Sequence, residues 1–214
     1  MNYMATNIET NIGIWELAVL ATLREAPMHP YQMQRLLKRR HKDEILALKR
    51  GSLYHAIGRL ERAGLIEQAA TSRNGRRPER TTYRLTPAGL EELMAALKKI
   101  VATPRRESSE FMAAMSFLVH LTPAECLPYL VERARRLKEE IELQRTILRE
   151  ASRFVEKINL IENDYLLAML RAEREWVTRL TDEISESRLS WNLEKIYAEI
   201  KADTEAAGRL EESQ

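Results

Sequence analysis

Gly51-Ser-Leu-Tyr-His-Ala-Ile-Gly-Arg-Leu-Glu-Arg-Ala-Gly-Leu-Ile66 decides how the first half of this chain is read. Leu53, Ile57 and Leu60 fall at helical spacing, as residues facing a core do. A second stripe, Ser52, His55, Arg59 and Arg62, keeps the same three-and-four rhythm and carries donors suited to base edges and phosphates. Gly64 is the natural stop, since glycine adopts the left-handed conformation that closes a helix at no steric cost. A helix with these two faces, running into a strand, has the pattern of a recognition helix in a winged helix-turn-helix.

The flanking sequence completes that pattern. Residues 1–10 show no periodicity and read as a loose arm. Ile14, Leu17, Ala18 and Ala21 predict a first helix, ending at the turn Ala26-Pro-Met-His-Pro30. Pro30 suits a first helical turn, and Tyr31, Met33, Leu36 and Leu37 carry a second helix towards the basic connector Lys38-Arg-Arg-His-Lys42. After the opening helix come strand-like Leu65–Ala69 and Thr81–Leu85, with Asn74-Gly75 supplying the backbone freedom of a hairpin tip. Thr86-Pro87 is a cap followed by a first-turn proline, opening a helix with Leu90, Leu93, Leu97 and Ile100 on one side.

Thr103-Pro104 marks the expected boundary between a domain at 1–104 and another at 105–214. Past it there are no strand signals. Phe111, Met115, Leu118 and Val119 suggest one helix, and Thr122-Pro-Ala-Glu125 combines a capping box with a first-turn proline. A heptad run follows at Leu127, Leu130, Ala134, Leu137, Ile141, Gln144, Leu148, Ala151, Val155 and Ile158. Such a stripe must be covered, either by the chain's other helices or by a second copy. Leu130, Leu137, Ile141, Leu148 and Val155 are the expected dimerisation residues. Another helix carries Leu166, Met169, Trp176, Leu180 and Ile184, and a short amphipathic piece spans Trp191 to Ile200.

Charge separates the halves. Residues 1–104 hold 17 Lys/Arg against 10 Asp/Glu, a balance of +7, and residues 105–214 hold 17 against 22, a balance of −5. A basic front half suits a polyanionic partner. No apolar run approaches a bilayer span, and the early acid Glu9 argues against a secretory leader. A single cysteine, Cys126, allows no intrachain disulfide and fits a reducing compartment, so a cytoplasmic location without membrane contact is expected.

The candidate contacts cluster in two places. Arg73, Arg76, Arg77 and Arg80 crowd the hairpin, as phosphate contacts or minor-groove arginines would. Within the helix, Arg59 is the first candidate for a guanine edge or phosphate. Ser52 suits a phosphate at the first turn, His55 a base, and Tyr54 a phosphate through its hydroxyl. Lys49 and Arg50 precede the helix and add nonspecific attraction. Trp15 and Trp176 are candidates for sandwiching a planar effector, against the plainer reading that both pack in a core. Catalysis finds no support: the four histidines lack metal-site spacing, and no nucleophile elbow or phosphate-binding glycine loop is present. Neither cofactor nor metal is expected.

Tyr31, the run Gly51-Ser-Leu-Tyr54, the run Arg59-Leu-Glu-Arg-Ala-Gly-Leu-Ile66 and Thr82-Tyr-Arg-Leu-Thr-Pro-Ala-Gly89 together resemble the PadR family of bacterial transcriptional regulators. The long C-terminal helices resemble its virulence-activator-like branch. Many members carry glycines around the second-helix tyrosine, where this chain has Met28-His-Pro-Tyr31; Pro30 preserves the helix start. The resemblance implies a homodimer on a palindromic double-stranded DNA operator, often a repressor released by a small-molecule effector. The expected fold is mainly α: an N-terminal winged helix-turn-helix with a two-stranded wing, then an all-α, coiled-coil dimerisation domain. A rival reading is a protein–protein adaptor that keeps the winged helix as a docking surface, although an adaptor has no need of an arginine-rich wing.

Overall fold

The computed structural model describes residues 12–42, 50–72, 80–104, 109–199 and 201–202, and divides the chain into two compact units, Met1–Arg106 and Glu107–Gln214. The first unit is mainly helical with a two-stranded wing. Its elements run α1 (Ile14–Glu25), α2 (Pro30–Arg39), α3 (Arg50–Arg62), β1 (Ile66–Ser72), β2 (Arg80–Leu85) and α4 (Pro87–Ala102). Each boundary has a local cause. His29 caps α2: its Nδ1 accepts from Tyr31 N–H at 3.1 Å, while Gln32 Oε1 accepts from His29 N–H at 2.9 Å, with Pro30 at the first turn. Gly64, at φ +70°, closes α3 by a Schellman motif, in which Leu65 N–H reaches Leu60 O and Gly64 N–H reaches Glu61 O, both at 3.0 Å.

The strands pair antiparallel from Ile66 opposite Leu85 to Ser72 opposite Arg80, with an irregularity between Gln68 and Ala70. Met28 and Tyr83 exchange two backbone hydrogen bonds at 3.0 Å, so the α1–α2 turn supports the far edge of β2. Thr86 Oγ1 accepts from Gly89 N–H and donates to Leu65 O, both at 3.0 Å. A Cβ on Gly89 would stand 1.9 Å from Leu65 O, so only glycine lets the start of α4 lie this close to the chain leaving α3.

One core joins these pieces: Val19, Leu20 and Leu23 of α1, Met33 of α2, Leu53, Ala56, Ile57 and Leu60 of α3, Leu65, Ile66, and Leu93 of α4. Two expected faces are corrected. In α1 the buried line is Glu16, Val19, Leu20 and Leu23, with Ala18, whereas Ile14 and Ala21 are exposed. Because α1 packs on α3, α4 and β2 together, its core face is broader than one stripe and turned from the expected phase. In α4 the core takes Gly89, Leu93 and Ala96, leaving Leu90, Leu97 and Ile100 in solvent.

The second unit holds α5 (Glu110–Ser116), a 3-10 turn at Leu118–His120, the long α6 (Pro123–Ala151), a second such turn at Lys157–Asn159, and α7 (Ile161–Ser185). Residues 193–199 are again helical. The capping box at Thr122 and Glu125 starts α6 with Pro123 at its first turn. The two long helices pack against each other as an antiparallel hairpin. Cys126, Leu130 and Leu137 meet Val177 and Ile184 in its core, with Phe111, Leu118, Leu170, Leu180 and Trp191 packed around them. Trp191 Nε1 donates to Leu121 O at 2.8 Å and fastens the segment after α7 to the start of α6.

The heptad run therefore finds its cover inside the chain. Leu130, Leu137 and Ile141, expected between subunits, are buried in this hairpin, at 8% exposure or less. The run is also shorter than its spacing suggests. Ser152 caps α6, Val155 N–H turns back to Ala151 O at 2.9 Å, and Val155 and Ile158 fall in the connection to α7. Leu148 and Val155 line a cleft at this tip with Leu160 and Ile161.

Candidate nucleic-acid interface

The face that α3 turns outward follows from what it buries. Leu53, Ala56, Ile57 and Leu60 are each at most 3% exposed, so the core line lies between Ala56 and Ile57. At 100° per residue the opposite line is Gly51, Tyr54, His55, Gly58 and Arg62. Tyr54, His55 and Arg62 are exposed, and nothing stands within 4 Å of a Cβ built on Gly51 or Gly58. The two glycines, seven residues apart, make the outer surface of α3 low there, so that its backbone can approach a partner closely.

Ser52 and Arg59 occupy the flank next to Ala56. Arg59 is committed within the chain. Its Nε donates to Glu16 Oε1 at 2.5 Å and its Nη2 bonds to the same oxygen, while Glu16 is only 6% exposed. A buried carboxylate needs such a partner, because an isolated charge away from water is costly. The clasp pins the side of α3 to the first turn of α1. Sequence reasoning missed Glu16, since a glutamate in a first helical turn reads as a solvated, dipole-favoured group. The signal that was available is Ala56, an apolar residue that moves the core line of α3 towards Ser52 and Arg59.

Other expected contacts are distributed as follows. Arg50 opens α3 and Arg80 opens β2. Lys49, Arg73, Arg76 and Arg77 lie outside the described residues. Arg84, behind the wing, donates across the ladder to Glu67 at 2.7 Å. On the other side of the helix-turn-helix, Arg40 holds Glu25 through two hydrogen bonds of 2.5 and 2.8 Å. This guanidinium keeps the Glu25 carboxyl below its ordinary range, its hydrogen bonding outweighing partial desolvation. Trp15 packs on the core of the first unit, whereas Trp176 lies in the second and meets Phe111 edge-on, ring centres 6.0 Å apart. Among the described residues no helix is long and apolar enough to cross a membrane.

Three helices, a two-stranded wing and a capping helix on one core define a winged helix-turn-helix protein. Residues 19–95 match the model of the transcriptional regulator PadR-like family. None of the curated proteins matches it. Among solved structures, Bacillus subtilis PadR in complex with operator DNA aligns at 18% identity and a TM-score of 0.63, covering 80% of this chain and 99% of that one. The same B. subtilis protein with p-coumaric acid aligns at 16% identity and a TM-score of 0.66, covering 81% and 99%. The PadR-like regulator BC1756 of Bacillus cereus aligns at 17% identity and a TM-score of 0.54, also covering 81% and 99%. At these identities the likeness is one of fold.

Proposed function

We propose that this protein is a homodimeric, DNA-binding transcriptional repressor that recognises a palindromic operator and is released by a small molecule. The observation that carries this reading is the outward face of α3, clear of the core and stripped of bulk at Gly51 and Gly58, beside a wing rich in arginine. On this reading residues 1–104 form the DNA-binding domain. Two copies of α3 enter successive major grooves, about one helical turn apart. Tyr54, His55 and Arg62 face the base edges and Ser52 a flanking phosphate. Lys49, Arg50, Arg73, Arg76, Arg77 and Arg80 neutralise phosphates. Arg59 acts through Glu16 to set how α3 is presented, rather than as a free reader. The structures of B. subtilis PadR, one holding operator DNA and one p-coumaric acid, support carrying both ligand classes to this chain as proposals.

The dimer belongs to residues 105–214, on a surface other than the heptad stripe. One flank of the α6–α7 hairpin leaves Tyr129, Leu143, Ile147, Tyr165, Met169 and Trp176 at 39% exposure or more. These apolar residues recur at steps of fourteen and four residues on α6 and of four and seven on α7. A second hairpin laid on this flank turns two helices into four and covers what one copy leaves in water.

Selection of bound sequences from a random double-stranded pool tests the whole reading. The expected product is an inverted repeat with half-site centres separated by about 10 base pairs. Affinity for it should fall steeply with salt, by a slope of about 0.9 for each phosphate contacted. Recovery of no enriched sequence, with elution from heparin at low salt, would favour the adaptor reading instead.

A further inference from the structure

The other flank of the hairpin carries a different surface. An open groove of about 570 Å³ runs between α6 and α7, lined by Lys138, Arg145, Arg171, Arg174, Arg179 and Arg188, with Glu142, Glu175 and Asp182 as its acids. The floor includes Ile141, 4% exposed. Six cations against three carboxylates leave the groove at +3, although residues 105–214 as a whole are at −5. The excess is local and runs against the charge of its own half.

Pairing sharpens the contrast. Elsewhere on these helices and just past the end of α6 arginine is matched by carboxylate: Arg135 and Arg136 with Glu132, Arg133 with Glu173, and Arg153 with Glu150. Within the groove Arg145 is held by Glu142 at 2.7 Å and Arg188 by Glu186 at 2.6 Å. Lys138, Arg171, Arg174 and Arg179 make no ion pair with any described residue, nor does Glu175, while the charge of Asp182 acts on Arg188. Arg171 and Arg174 are one helical turn apart on α7, and Lys138 comes from α6, so the unmatched cations converge from two helices. Thr178 adds a hydroxyl between them. By helical phase this stripe lies across the Val177–Ile184 line from Tyr165, Met169 and Trp176, so a partner seated on the apolar flank leaves the groove open.

We infer that this groove binds a small organic polyanion, one bearing at least two phosphate or carboxylate groups on a compact apolar body. Planar guanidinium forks suit both oxyanions by bidentate hydrogen bonding, and a groove of this size holds a molecule of metabolite dimensions. Glu175 and Asp182, facing the same space, select against singly charged anions, which gain too little from the cations to offset the two acids. The site needs only the hairpin, and so is independent of the DNA-binding reading. If its occupant also lowers operator affinity, it is an effector site.

The test uses the full-length chain with inorganic pyrophosphate, citrate and acetate as probes, in calorimetric titrations at 50 and 300 mM salt. Pyrophosphate or citrate should bind saturably at one site per chain, acetate at least tenfold more weakly. Arg171→Ala combined with Arg174→Ala should weaken the polyanion at least tenfold. Arg153→Ala, on an exposed paired arginine outside the groove, should leave it unchanged. All three are surface positions, and an unaltered unfolding temperature shows that the fold survives. Saturable binding that the groove variant leaves intact overturns the site, as does the absence of binding by either polyanion at 10 mM. Equal affinity for acetate overturns the selectivity. Operator binding, followed separately by gel shift, tells failure of this site from failure of the DNA-binding reading.

Discussion

The two units cover their apolar residues in opposite ways. In the first, the described helices and strands close on one core, and its largest side chains, among them Leu20, Met33, Leu60, Ile66 and Leu93, are almost wholly enclosed. In the second, two long helices share a narrow seam, and two helices cannot enclose more than the line on which they touch. Val177 is completely buried there, while Tyr165 and Met169, on the same helix, stand more than half exposed. The contrast teaches a division of labour. The first unit is self-sufficient in its core, although Leu90, Leu97 and Ile100 of α4 stay in solvent, whereas the hairpin leaves a whole apolar flank that we propose a second copy covers.

The largest expected effect breaks the self-sufficient side. Leu60, 1% exposed, sits where α3 meets the rest of its core. Leu60→Ala should destabilise the first unit by about 2–5 kcal/mol, the usual cost of a large-to-small change in a packed interior. Chemical denaturation followed by circular dichroism would show it as a lowered midpoint that does not depend on protein concentration. A shift under 1 kcal/mol would mean that this core is looser than its burial indicates.

The hairpin should respond through association instead. Tyr165→Glu combined with Met169→Glu places two charges on the exposed flank and leaves the Val177 seam untouched. Sedimentation should show the proposed dimer weakened about a hundredfold, which corresponds to about 2.7 kcal/mol. Helical content should be retained. A variant that stays dimeric would move the interface elsewhere, and the contrast between the units would lose its functional meaning.

Much of the first unit was legible because its boundaries are written locally. Gly64, Thr86-Pro87 and the His29-Pro30 start each satisfy orphan backbone groups within a few residues, and local chemistry of that kind survives any tertiary context. Phase was harder to read. Ile14 and Ala21 sit at plausible core spacing on α1, but which side is buried depends on three neighbours at once. The heptad run presents the same difficulty on a longer scale: spacing shows that Leu130, Leu137 and Ile141 need a partner, and nothing local says whose helix supplies it. Glu16 and Arg59, 43 residues apart, are joined only by the packing of α1 on α3.

That clasp gives the next test, since it is the point where the first unit's core touches its outer face. Arg59→Ala should cost about 2 kcal/mol by leaving Glu16 buried without its cation, a figure below the full penalty for a buried pair because the arginine side is half exposed. In a Glu16→Gln background the same change should cost at least about 1 kcal/mol less, since no charge is left stranded. Denaturation of the four proteins of this cycle measures the coupling directly. Glu16→Gln alone also frees the guanidinium, so the salt dependence of DNA binding should steepen by up to about 0.9 if Arg59 then finds a phosphate. An additive cycle would return Arg59 to the role of an uncommitted reader.

The smallest expected effect lies at the start of α6, and it ties the hairpin's stability to pH. Thr122 Oγ1 accepts from Glu125 N–H at 3.3 Å, while Glu125 Oε2 accepts from Thr122 N–H at 2.8 Å. The backbone N–H of Thr122 is the chief reason that the Glu125 carboxyl titrates below its ordinary range, with the Thr122 hydroxyl second. A carboxyl depressed in the folded state stabilises above its unfolded pKa, and the contribution is lost as pH falls through the lower folded value. Thr122→Ala should cost about 1 kcal/mol at neutral pH, as loss of an N-cap usually does. The difference between variant and parent should narrow on acidification below about pH 4, where the unfolded-state glutamate protonates. Amide exchange in the first turn of α6 reads this locally. A cost that stays constant from pH 7 to pH 3 would mean that the threonine hydroxyl serves the Glu125 N–H alone and not the carboxylate, whose bond to the Thr122 backbone N–H the variant keeps.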